Sequence, residues 1–391
     1  GFLDEALRWF DRWLKQVPNG IEAEPGLRSW MQDWQAPAGY VATRAGRWVE
    51  EATWPSPHVT MRSFYLNLNG LGHVPGPEGE HIVASPQSLG SAAGEWMPWL
   101  AFGEQAELAQ DQREAGARSV TFDANPLVEP IELLGEPVAY LDLASDKPVA
   151  AVVVRLCDVA PDGTSARIAY GALNLTRREG LGHPTALTPG ERYRVAVRLY
   201  PCGYRVARGH RLRVAVSTTY WPVIWPAPMP ATLTLYGGAS RIELPVRAPR
   251  PAAEAAMRAW GPVATAPAMA RTVLAPAKVS RRSVRDLASG RVELIHLDDG
   301  GRYRIDAYGL EVAARTERRL SIQDTDPGSA RVELDWHWEL NRGDWAARTV
   351  TRATVWCTAA TFEFESSLEA FEGERLVFAK QSRNSIARDL L

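Results

Sequence analysis

A mainly β chain is predicted, on three observations. Short segments in which apolar and polar residues alternate recur from about residue 27 to the C-terminus. Turn-forming residues separate them, with 31 glycines and 28 prolines to draw on. Only one stretch, at the very start, carries a helical period. A length of 391 residues suits two to three domains.

The opening helix is read from Phe2, Leu3, Ala6, Leu7, Phe10, Trp13 and Leu14, whose spacings of three and four make one wide apolar face. Asp4 and Glu5 sit where the helix dipole favours acids, and Pro18-Asn19-Gly20 ends the helix. Leu27–Gln32 is a first strand, followed by a Trp/Pro/Gly-rich loop over 33–60 and a strand at Phe64, Leu66 and Leu68. Residues 70–118 show no periodic element. A loop of that length is functional or lies draped over another domain. Strands then follow quickly: 138–143, 151–159, 168–175, 192–199, 212–217, 232–236 and 242–246. Residues 249–277, rich in Ala and Pro, read as a linker. Beyond it come eight further segments, 292–297, 302–306, 310–314, 318–323, 330–338, 347–356, 361–370 and 375–380. Hairpin turns are expected at Asp298-Asp299-Gly300-Gly301 and Asp326-Pro327-Gly328, in a meander curling around a core.

The stretch of most interest is Arg208–Pro228. Leu212, Val214 and Val216 alternate as a half-buried strand. The following Tyr220-Trp221-Pro222-Val223-Ile224-Trp225-Pro226-Ala227-Pro228 cannot be a central strand, because its prolines lack ladder donors. They stiffen the loop instead, so that Tyr220, Trp221 and Trp225 are presented at low entropic cost.

This stretch and several motifs before it carry a resemblance. Asp111-Gln112-Arg113, Phe122-Asp123 with Pro126-Leu127, Gly135-Glu136-Pro137, Ala144-Ser145-Asp146, Arg155-Leu156-Cys157-Asp158-Val159 with Pro161-Asp162-Gly163, and the turn Gly209-His210-Arg211 stand in the order found in one family. Over roughly residues 1–250 the chain resembles the C-terminal β-sandwich of the CocE/NonD hydrolases, relatives of X-Pro dipeptidyl-peptidases of peptidase family S15. The resemblance implies a jelly-roll, galactose-binding-like sandwich over 25–248. A terminal helix and linker of an α/β-hydrolase domain would precede it over 1–24. The linker 249–277 and a second antiparallel β domain, 278–391, would follow.

The same resemblance implies a serine acyl hydrolase whose Ser-Asp-His triad lies upstream of Gly1, so no catalytic residue is expected here. No G-x-S-x-G elbow occurs, and Gly90-Ser91-Ala92-Ala93-Gly94 has its serine one place early. The chain starts inside a helix and not at Met, which points to the C-terminal part of a longer enzyme. Its partners would be that α/β-hydrolase domain and a small ester or peptide substrate. Substrate-cleft or domain-interface roles fall to Tyr220, Trp221 and Trp225, and then to Asp111, Gln112 and Arg113. Alone, the chain would be inert as a hydrolase. The helix face would cover the hydrolase sheet or dock on the chain's own sandwich; both stay open.

Other chemistries find little support. A net charge of −2 and a pI near 6.5 offer no basic footprint for nucleic acid. No apolar run reaches the roughly 18 residues a membrane span needs. His183, His210, His296 and His337 lack metal-ligand spacing and no C-x-x-C exists, so neither metal nor cofactor is expected. His210 reads as a hydrogen-bonding corner residue, Cys157 as a small buried hydrophobe, and Asp158 and Asp162 as acids capping a turn. Asp298, Asp299, Asp324 and Asp326 read as turn acids. Three scattered cysteines argue for a reducing, cytoplasmic compartment. The 15 tryptophans keep a carbohydrate-binding module open, and the family resemblance implies one further class, an assembly module whose apolar patches form a homodimer.

Overall fold

The computed structural model describes residues 2–96, 108–255 and 266–391. It is mainly β, with three antiparallel sheets among the described residues and one parallel strand pair, Leu27–Gln32 beside Cys202–Val206. Two sheets, of eleven and four strands, face each other across a core that includes Leu133, Leu141, Val152, Val154, Leu156, Val214 and Ile242. The four-stranded sheet runs Ser165–Asn174, Ala151–Val159, Arg211–Ser217, Val120–Asp123.

Ala151–Val159 is the strand that positions the site. Val152, Val154 and Leu156 point into the sandwich, as a period of two requires. Val153, Arg155 and Cys157 therefore point outward, yet they too are buried. A layer of loops covers them: residues 86–96, the short helix Arg113–Ala117 with its flanks, and the aromatic loop after Ser217. Gly90 makes this layer fit. Its φ of +109° suits glycine, and a Cβ there would stand 2.7 Å from the Trp221 carbonyl oxygen.

The third sheet has eight strands, six of them in a meander from Arg291–Ile305 to Arg375–Ala387. Its register sorts side chains by chemistry. Leu320, Val332, Val355 and Phe364 form one row, whereas Glu317, Asp335, Arg352 and Ser367 form a row on the opposite face. The apolar face meets the sandwich only at one end. Trp336 and Trp338, on the same face farther along, are 44% and 41% exposed.

Several readings of this region change. The sheet is open, with Arg375–Ala387 and Arg271–Ala275 at its free ends. Asp298–Gly301 is no hairpin turn. The strand Arg291–Ile305 runs through it with a register shift after Asp299, whose carboxylate accepts from the Gly301 N–H at 2.9 Å. Arg271–Ala275 and Lys278–Arg285 both pair with this strand, the former within the segment read as linker, of which residues 256–265 lie outside the described residues. Earlier in the chain, Gly46–Glu51, Gly79–Val83, Ile131–Gly135 and Cys202–Val206 are strands that the alternation did not reveal.

The opening helix α1, Phe2–Trp13, leaves its apolar face uncovered. Leu3 is 74% exposed, and Leu7, Trp9, Phe10, Trp13 and Leu14 are at least half exposed. Ion pairs tie it to the segment that follows, Arg8 to Glu24 and Arg12 to Glu22. Docking of this face on the chain's own sandwich is not what the structure has. No described helix is long and apolar enough to cross a membrane.

Candidate functional site

The aromatic loop divides between two neighbours. Tyr220 turns inward onto the four-stranded sheet and is fully buried with Leu89, Ala93, Val153 and Tyr170. Its hydroxyl accepts from Arg167 Nη1 at 2.7 Å and donates to Gln112 Oε1 at 3.3 Å. That oxygen also accepts from Arg155 Nη1 at 3.2 Å, and the Gln112 amide donates to the carbonyls of Ala92 and Gln110. Arg155 is wholly buried and has no ion pair among the described residues. Gln112, Ser119 Oγ at 2.6 Å, the Ala115 carbonyl at 3.0 Å and the Tyr220 ring at 5.4 Å are its partners. A desolvated guanidinium needs such acceptors, and Gln112 supplies the one nearest the aromatic loop.

Trp221 and Trp225 turn the other way, onto the third sheet. Trp221, 2% exposed, clusters with Ile322, Ala330 and Cys357, and Trp225 packs there with Leu320, Val332 and Phe362. The two indoles meet edge to face at 5.1 Å, and Trp225 meets Phe362 likewise at 5.6 Å. Arg388 donates to the Pro226 carbonyl. Of the six singled-out residues, Gln112 and Tyr220 thus share one node and Trp221 and Trp225 another. Asp111 and Arg113 join neither. Asp111 Oδ1 accepts from the backbone of Arg113 and Ser165, Oδ2 accepts from the Arg113 side chain, and the latter points largely to solvent.

Beside Tyr220 lies an aromatic cluster that sequence reasoning missed. The Tyr170 ring meets those of Tyr200 and Tyr220 at a tilt, centroids 5.1 and 5.6 Å apart, and Trp96 Nε1 donates to the Tyr200 hydroxyl at 2.9 Å. Burial pushes the Tyr170 phenol up to about 12. Two recesses share Trp96, Tyr170 and Tyr200. One, of about 330 Å³, adds Val223, Ile224 and the Arg198–Glu136 pair, and the other, of about 280 Å³, adds Arg167, Arg44 and Gln35. The available signal was Arg155 itself, a charge inside the apolar run Val152-Val153-Val154-Arg155-Leu156.

Acids read as turn residues have other work. Asp158 is buried, accepting from the Tyr204 hydroxyl at 3.0 Å and paired with His210 Nδ1 at 2.8 Å, and burial raises its pKa. Asp162 does cap its turn, at Thr164 N. Asp324 ties the third sheet to the loop layer by accepting from Ser88, Arg118 at 3.0 Å and Arg285 at 2.8 Å. Nearby, His296 and the Arg318 guanidinium hold Glu95 down to about 2. Among the described residues, no group of three or more His, Cys, Asp or Glu is placed to hold a metal. Ser91 sits in a turn, its N–H donating to the Ser88 carbonyl, and not on a strand-to-helix elbow.

Two facing sheets overlaid by a loop layer that buried polar groups tie down define a β-sandwich domain. The chain is a member of the family of X-Pro dipeptidyl-peptidase C-terminal non-catalytic domains, matched over residues 19–272. The third sheet lies almost wholly beyond that match. Cocaine esterase of Rhodococcus is 25% identical over 232 residues, 55% of this chain and 37% of the esterase. A Mycobacterium bovis protein, provisionally named a serine esterase, is 28% identical over 273 residues, 63% of this chain and 41% of that protein. The chain thus spans less than half the length of these relatives. A CocE/NonD family hydrolase of Staphylococcus aureus shares 16% identity at a TM-score of 0.46, over 63% of this chain and 45% of that one.

Proposed function

We propose that this chain is the non-catalytic C-terminal part of a serine acyl hydrolase. In that reading an upstream α/β-hydrolase domain carries the Ser-Asp-His triad and performs acyl transfer from a small ester or peptide to serine, followed by hydrolysis. The family match over residues 19–272 carries the reading. The uncovered apolar face of α1 supports it, since at least half exposure of six large apolar residues is a surface awaiting a protein. The loop layer of Tyr220, Trp221, Trp225 and Gln112, with Asp111 and Arg113 at its margin, would wall the substrate cleft. The unpaired cysteines fit a cytoplasmic location.

The carbohydrate-binding alternative gains nothing from the aromatic loop, whose Tyr220 and Trp221 are closed to solvent. An assembly role draws on the exposed Trp336, Trp338 and Trp345 of the third sheet. Light scattering would reveal the homodimer that it requires.

Intact-mass analysis after fluorophosphonate treatment tests the main reading. An unchanged mass is expected. A stoichiometric adduct would place an activated serine within these 391 residues and overturn it.

A further inference from the structure

The smaller recess has a composition that the hydrolase reading does not use. Its walls hold three aromatics, Trp96, Tyr170 and Tyr200, and two arginines, Arg44 and Arg167. No Asp or Glu stands among its described lining residues, and neither arginine is ion-paired among the described residues. Arg167 is preset for a ligand. It lies over the Tyr170 ring at 4.5 Å, and one of its N–H groups is fixed on the Tyr220 hydroxyl. A guanidinium carries five donors, so its fork has others to give. The Tyr170 hydroxyl, on a residue 8% exposed, has no hydrogen-bond partner among the described residues.

Positive charge gathered in an aromatic hollow, with no carboxylate among its described lining residues, costs desolvation that an anion would relieve. A neutral sugar would leave the arginine charge uncompensated, an inorganic ion would leave the rings unused, and a cation would be repelled. Size agrees as well. A dry cavity of about 150 Å³ holds benzene, so a recess of about 280 Å³ admits one ring with a short acidic arm.

We propose that this recess binds a small aryl carboxylate, its acid group at Arg44 and Arg167 and its ring among Trp96, Tyr170 and Tyr200.

Calorimetric titration with phenylacetate tests it, run beside neutral phenylacetamide and ring-free acetate at constant ionic strength. Saturable one-to-one binding of phenylacetate is expected, with both controls at least about tenfold weaker. Arg44→Gln should weaken phenylacetate by about tenfold. That variant separates site loss from misfolding, because Arg44 donates no hydrogen bond among the described residues, and its circular dichroism should match the parent. Absence of saturable phenylacetate binding would overturn the proposal. So would phenylacetamide binding as tightly as phenylacetate, or an Arg44→Gln protein that binds unchanged.

Discussion

Gln112 shows how much a single buried side chain can organise. Its carbonyl oxygen serves Arg155 and Tyr220 while its amide holds two backbone carbonyls of the loop layer. Gln112→Ala should therefore cost about 2–3 kcal/mol in urea unfolding, as it leaves a buried guanidinium and a hydroxyl short of a partner. Arg113→Ala, which removes only a largely exposed ion pair to Asp111, should cost no more than about 1 kcal/mol. Equal losses would mean that Gln112 is not the node described. A second test concerns thiols. Burial raises the pKa of Cys157, so it should resist a thiol reagent at pH 8 until the chain unfolds, whereas the half-buried Cys202, pushed up to about 12, should react slowly. Prompt labelling of Cys157 would contradict its burial. The motif Asp111-Gln112-Arg113 was legible in sequence, but not which of its members turns inward. That depends on a strand 43 residues away, where Arg155 waits for an acceptor.

At the scale of elements, the third sheet acts as a clamp on the two loops that would wall a cleft. Asp324 grips residues 87–88 and Arg118, Glu95 reaches His296 and Arg318, and Ile322 with Cys357 cradles Trp221. Asp324→Ala should raise amide hydrogen exchange in residues 86–93 more than in the strand 151–159, and uniform protection would refute the clamp. Acid should loosen it too. Glu95 has a folded pKa near 2, below its unfolded value near 4.5, so its contribution is present above pH 4.5 and is lost as pH falls towards 2. Glu95→Gln should flatten that part of the stability profile; an unaltered acid limb would show that Glu95 does not contribute. Gly90 adds a steric test, since Gly90→Ala forces a Cβ against the Trp221 carbonyl at a positive φ and should destabilise by about 1–3 kcal/mol.

For the whole molecule, the surfaces left uncovered matter most. The apolar stripe of α1 contributes nothing to the sandwich core, so Leu7→Glu with Phe10→Glu should leave the melting temperature of this chain within about 2 °C of the parent. In a full-length hydrolase the same pair should abolish association with the catalytic domain, read as loss of soluble, active protein. A large drop in melting temperature here would mean that the helix face is already docked. The basic edge strand Arg375–Ala387 carries Arg375, Lys380 and Arg383 and no acid, a composition that discourages strand addition at this free edge.

Local patterns in the sequence determined the β class, most strands of the sandwich, the amphipathic start and the motif order that marks the family. They did so because alternation, helical period and turn chemistry are properties of neighbours along the chain. Strands such as Gly46–Glu51 and Ile131–Gly135 escaped because pairing partners, not their own alternation, make them strands. Only the tertiary structure decided that Asp298–Gly301 is a bulge within one long strand, that Asp158 and Asp324 are buried or bridging acids, and that Tyr220 and Trp221 face opposite ways. Those outcomes depend on which remote surfaces meet, and burial and hydrogen-bond satisfaction act only once they have met.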